Sequence, residues 1–127
     1  METPNDLKYT ENDEWIRIED SLGTMGISDY AQDQLSDIVF VEFLVDIGEM
    51  VDQGDTIATV ESVKAAADIY APVSGMIKSL NEELADSPEL INTDPYGDAW
   101  LVKLEVSDPS ELDDLFDADT YANLERD

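Results

Sequence analysis

Apolar and polar residues alternate over short stretches separated by glycine and proline, and few segments carry the three-to-four-residue spacing of a helix. Residues 14–19, EWIRIE, set Ile16 and Ile18 apart from Arg17 and Glu19, which predicts a half-buried strand. Gly23 and Gly26 punctuate a short second strand. Residues 38–45, IVFVEFLV, are apolar on both faces except at Glu42, which predicts a strand buried between two layers. Gly48 and Gly54 mark turns, residues 55–63 form a further strand with imperfect alternation, and Pro72 and Gly75 bracket a turn before a strand over 76–80. Ser87-Pro88 and Asp94-Pro95 with Gly97 mark a loop region. The cleanest period of two sets Trp100, Val102, Leu104 and Val106 against Leu101, Lys103, Glu105 and Ser107.

Helical signals are few. Ser28 is a suitable N-cap and Asp29 a favourable first-turn acid, which predicts a helix to about Asp37 with Tyr30, Ala31, Leu35 and Ile38 inward. Pro109-Ser110-Glu111 opens a short helix, and a last one is expected over residues 118–124. Many short strands with Gly and Pro turns predict a mainly β fold, a sandwich or flattened barrel with helical additions. A length of 127 residues suffices for one domain with one core, so residues 1–127 are expected to form a single unit.

Charge narrows the function. Six basic against 32 acidic residues give a formal net charge of -26, so nucleic acid and anionic membrane surfaces are repelled rather than bound. The acids are spread along the chain instead of forming a tail, which describes an acidic surface adapted to a salt-rich, halophilic cytoplasm. METPNDLKYTEND has neither a basic n-region nor an apolar h-region, and no stretch approaches the ~18 apolar residues of a membrane span; the expected location is cytoplasmic.

The chain contains no cysteine and no histidine, which removes Ser/His/Asp and Cys/His nucleophilic arrangements and makes a structural zinc site a poor reading. GTMG has the wrong spacing for a phosphate loop. NTDPYGDAW (92–100) imitates a calcium loop, but its twelfth position is Lys103 and a proline interrupts it, so a turn is the better reading.

The remaining chemistry centres on VESVKAAADIYAPVSG (60–75), which holds Lys64. One reading ends a strand near Val63 and restarts it at Asp68, so that Lys64 projects from a hairpin tip with small alanines leaving its amine accessible. The other begins a helical turn at the alanines, with Lys64 decorating it. On the periodicity alone both stand.

This segment closely resembles the modification segment of the glycine cleavage system H proteins, in which the lysine matching Lys64 carries lipoic acid. The likeness extends to LKYTENDEW (7–15), GISDYAQDQLSDIVFVE (26–42), ADSPELINTDPYGDAWLVKL (85–104) and SDPSELDDLF (107–116). Biotinyl domains usually set their lysine between methionines, and the acyltransferase lipoyl domains usually place aspartate before it; here its neighbours are Val63 and Ala65. The chain departs from the family at Asp13 and Tyr30, where histidine is common, at Ala99, where glycine is common, and in FLVDIG, which lacks a usual proline.

The resemblance implies a barrel-sandwich hybrid of the lipoyl/biotinyl-carrier type and a non-catalytic carrier. Such a protein shuttles the aminomethyl group of glycine from the P protein, glycine decarboxylase, to the T protein, aminomethyltransferase. The L protein, dihydrolipoamide dehydrogenase, restores the disulfide. It further implies a monomer, a lipoylating enzyme that recognises Glu61, Ser62 and Val63, and a cleft for the loaded arm in which Glu14 and Asp68 supply carboxylates. Trp15, Tyr96 and Trp100 are expected to pack, and Ala71, Pro72 and Gly75 to set a turn. Two rivals remain: a lipoyl carrier for another pathway, and an interaction module whose Lys64 is never modified.

Overall fold

In the computed structural model, which describes residues 3–124, the alternation read from the sequence becomes two antiparallel sheets. Strands β1 (Lys8–Tyr9), β2 (Glu14–Glu19), β3 (Leu22–Ile27), β5 (Met50–Val51), β8 (Gly75–Leu80) and β9 (Val102–Val106) form a six-stranded sheet in the order β1-β2-β3-β9-β8-β5. Strands β4 (Ile38–Phe43), β6 (Thr56–Ser62) and β7 (Ala66–Tyr70) form the second sheet in the order β4-β6-β7. Helices are short: α1 (Asp29–Leu35), α2 (Glu83–Asp86), α3 (Leu90–Thr93), a 3-10 turn over Pro109–Asp114 and α4 (Ala118–Ala122). This is the expected mainly β, flattened barrel-sandwich architecture.

The main core lies between the sheets, where Ile16, Met25, Ile57, Val60, Ile77 and Leu104 are buried. A second cluster of Leu7, Tyr9, Trp15, Tyr96, Ala118 and Tyr121 closes one end. Trp15 donates its indole N–H to the carbonyls of Ile27 and Pro95, both at 3.0 Å, and the Tyr9 and Tyr121 rings stack at 4.4 Å. Tyr121 donates to Asp13 Oδ1 at 2.7 Å, so its contact of 2.6 Å with Ser28 Oγ uses the serine proton. Trp15 and Tyr96 therefore pack as expected, and the half-buried Trp100 packs against the same cluster.

Ser28 caps α1 as its sequence predicts, accepting from the Ala31 N–H at 3.2 Å. The helix stops at Leu35, however; Ala31 and Leu35 pack half-buried against the core as expected, Tyr30 is half-buried, and Ile38 belongs to β4. Gly48 and Gly54 adopt φ of +94° and +93°, the left-handed region their turns require.

The largest departure is β4. Its run of apolar residues predicts burial on both faces, yet Val39 is 53% exposed, Phe40 46% and Leu44 48%. β4 is an edge strand of a sheet with only one face on the core, and a register shift between Ile38 and Phe40 turns two consecutive side chains outward. The loop predicted around residues 87–97 instead contains the single-turn helix α3, and the equally short α2 ends just before it.

Two ion pairs are present among the described residues, Arg17–Asp6 at 3.9 Å and Lys78–Glu105 at 3.4 Å, so the formal charge of -26 remains largely unopposed. Screening shortens from roughly 10 Å at 0.1 M salt to roughly 3 Å at 1 M. The melting temperature should accordingly be several degrees higher in molar KCl than in dilute buffer. Equal melting temperatures, read by circular dichroism, would remove the salt-adaptation reading.

Candidate functional site

Lys64 sits at the turn of the β6–β7 hairpin, whose register pairs Glu61 with Ala66, Val60 with Ala67 and Thr59 with Asp68. The alanines therefore start a strand and not a helical turn. One side chain ties the turn together: Ser62 Oγ accepts from the N–H groups of Lys64 at 3.1 Å and Ala65 at 2.9 Å, and donates to the Ala65 carbonyl at 3.0 Å. Serine favours such local hydrogen bonds to the backbone, which is why it suits a turn. The Val63 N–H bonds the Asp37 carbonyl at 3.0 Å and anchors the tip to the segment preceding β4.

Around the lysine the surface is open. Lys64, Ala65 and Ala66 are exposed, and Val63 is 69% exposed although apolar. The Lys64 ammonium makes no hydrogen bond or ion pair among the described residues. Glu61 is exposed beside it on β6, and Ser62 is half-buried by the turn it holds.

The β7 strand leads from this turn to an open pocket of about 330 Å³. Ala71, Pro72, Leu115 and Phe116 supply apolar wall, and Thr10, Glu14, Gln53 and Asp114 supply polar groups. Ala71 and Pro72, read from the sequence as turn-setting residues only, thus also line a cavity.

Glu14 forms part of the pocket lining and is 1% exposed. Its Oε1 accepts from the Thr10 hydroxyl at 2.5 Å and its Oε2 from the Tyr70 N–H at 3.1 Å. Burial pushes its pKa up to about 7, the nearby Asp13 adds to the rise, and the two hydrogen bonds oppose it. A carboxylate has about four acceptor positions, so two donors leave capacity for a third.

Asp68 is different. It is exposed on β7, 3.5 Å from Thr59 Oγ1, and it is not among the residues lining the pocket. Alternation puts it on the same strand face as Tyr70, which does line the pocket. The structure therefore brings Glu14 to the cavity and leaves Asp68 on the edge strand between the lysine and that cavity. Thr10, Tyr70 and Gln53 were missed from the sequence; a threonine four residues before Glu14 was the one local sign of a partner for that carboxylate.

Taken together, the site offers an accessible amine on a fixed hairpin and a cavity with apolar walls and a buried carboxyl acceptor. Comparison with known proteins gives the family. A family model described as "Glycine cleavage H-protein" matches residues 7–127. The chain is 50% identical over 124 residues to a glycine cleavage system H protein of Staphylococcus haemolyticus, covering 98% of each. It is 54% identical over 126 residues to that of Idiomarina loihiensis, covering 98% of this chain and 97% of the relative. A crystal structure of a glycine cleavage system H protein from Mycobacterium marinum superposes with a TM-score of 0.85 at 38% identity, over 94% of this chain and 95% of that one. With matches of this extent in sequence and fold, the chain belongs to the glycine cleavage H-protein family, whose members are lipoyl-bearing carriers of the glycine cleavage system.

Proposed function

We propose that Lys64 carries lipoic acid as an amide on its ε-nitrogen and that residues 1–127 act as one carrier domain. On this reading the chain takes the aminomethyl group of glycine from the P protein to the T protein and is returned to its starting state by the L protein. The bound group supplies the two-electron disulfide chemistry that a chain without cysteine lacks. One observation carries the proposal: Lys64 is exposed at the tip of a hairpin whose turn is held by Ser62 and whose strands belong to a packed sheet.

The chain's own residues have separate tasks. The rigid hairpin presents the amine while the arm beyond it moves, and tethering gives its reactive end an effective concentration of order millimolar at each partner. Glu14 accepts the ammonium of the loaded arm through a charge-assisted hydrogen bond, and the apolar walls of the pocket limit access of water. Asp68, on the path from turn to pocket, offers a second carboxylate during approach. Glu61, Ser62 and Val63 form the face read by the lipoylating enzyme. The protein acts as a monomer in the cytoplasm, and its charge of -26 opposes self-association.

Reconstitution tests the pathway. The lipoylated chain, mixed with P, T and L proteins, glycine, tetrahydrofolate and NAD, should support NADH formation that stops when the chain is left out. A lipoylated chain that supports none with active partners would overturn the glycine assignment.

A further inference from the structure

We infer that Thr10 is a positioning residue, whose hydroxyl fixes the Glu14 carboxylate at the pocket so that its remaining lone pairs face the ammonium of the loaded arm. The inference rests on the reading that Glu14 receives that ammonium.

The geometry leaves the hydroxyl little choice. Thr10 Oγ1 accepts from the Asn12 N–H at 3.2 Å and the Glu14 N–H at 3.1 Å. A threonine hydroxyl has two acceptor positions and one proton. With both acceptor positions occupied, its proton points to the remaining close partner, Glu14 Oε1 at 2.5 Å. Backbone bonds from Thr10 N–H to the Glu14 carbonyl at 2.9 Å and from Asp13 N–H to the Thr10 carbonyl at 3.2 Å close the loop on itself. Thr10 and Glu14 are thus locked to each other by backbone and side chain, and the Tyr70 N–H holds the second carboxylate oxygen from across the pocket. Rotating the carboxylate would break both bonds, and a buried donor without a partner is unfavourable. The arrangement is set before any cargo arrives, as a preorganised electrostatic site requires.

Position and mere turn-building predict different results. Aminomethyl-loaded, lipoylated protein is freed of P protein, and loss of the aminomethyl group is followed in the absence of T protein. Alongside this, the Glu14 carboxyl is titrated by ¹³C NMR. Thr10→Val keeps the shape and removes the hydroxyl; it should speed cargo loss roughly ten-fold, the effect of losing one hydrogen bond to a charged group. The Glu14 midpoint should move upward, since a donor to the ionised form is gone. Thr10→Ser keeps the hydroxyl and should restore both quantities to within about two-fold of the parent chain. A purely structural Thr10 would lower the melting temperature without moving either.

Glu14→Gln separates the pocket from its support. Fast loss in Glu14→Gln with parental loss in Thr10→Val overturns the role of Thr10 and keeps the pocket. Parental loss in Glu14→Gln overturns the pocket reading and Thr10 with it. Should Thr10→Val fail to fold, judged by near-UV circular dichroism, Thr10→Ala, which leaves room for water at the vacated position, is held to the same outcomes.

Discussion

Replacing Lys64 by arginine is expected to abolish carrier activity, by at least about a thousand-fold in glycine-dependent NADH formation, while leaving the protein folded. The guanidinium stays protonated in any workable buffer and offers no free amine for an amide bond. Structural cost should be small, since Lys64 is exposed and its side chain has no partner among the described residues. Surface substitutions of this kind usually stay within about 0.5 kcal/mol. An interaction module that never used the amine would keep full function in Lys64→Arg. The comparison therefore decides between carrier and scaffold in one experiment.

Glu14→Gln is expected to change the pH dependence of stability by about 3 kcal/mol at its extreme. In the folded protein the Glu14 pKa is raised to about 7 from an ordinary value of 4.5, because burial penalises the charged form. Protonated Glu14 is thus favoured by folding. Its contribution is fully present below about pH 4.5, falls as pH rises, and is gone above about pH 7. Each tenfold difference in proton affinity between the folded and unfolded chains corresponds to ~1.4 kcal/mol. Glutamine has nearly the same shape, its amide oxygen can accept from the Thr10 hydroxyl as the carboxylate does, and it carries no charge at any pH. Urea unfolding should find Glu14→Gln similar to the parent chain near pH 4 and up to about 3 kcal/mol more stable near pH 8. The other carboxylates titrate in both proteins, so the difference isolates one group. Equal stabilities at both pH values would show that Glu14 is not desolvated. The stabilised variant is also the one expected to hold its cargo poorly, a trade-off common where a buried charge serves function.

Much of this was legible before the structure. The strand at 14–19, the Ser28 cap and the turns at Gly48 and Gly54 depend on neighbouring residues, and local chemistry decides them. Lys64 at a hairpin tip was one of two open readings; the pairing of Glu61 with Ala66 resolved it in favour of the hairpin. The resemblance, not periodicity, brought lipoate to that lysine. Other features depend on distant partners and leave no local trace. β4 reads as buried because its residues are apolar, and its place at a sheet edge together with its register shift leaves Val39 and Phe40 in solvent. The two-residue strands β1 and β5 are too short for any period, and α2 and α3 span one turn each. The pocket draws on Thr10, Gln53, Tyr70 and Phe116, which only the fold assembles. Even so, Glu14 entered both readings, by resemblance first and then as the buried carboxylate of that cavity.

The central claim is that Lys64 bears the arm, and intact mass spectrometry of protein isolated from its native host, followed by peptide mapping across residues 60–75, tests it most directly. The account predicts a single lipoyl-sized increment located on Lys64. An unmodified Lys64, in cells whose other lipoyl proteins carry their groups, would contradict it.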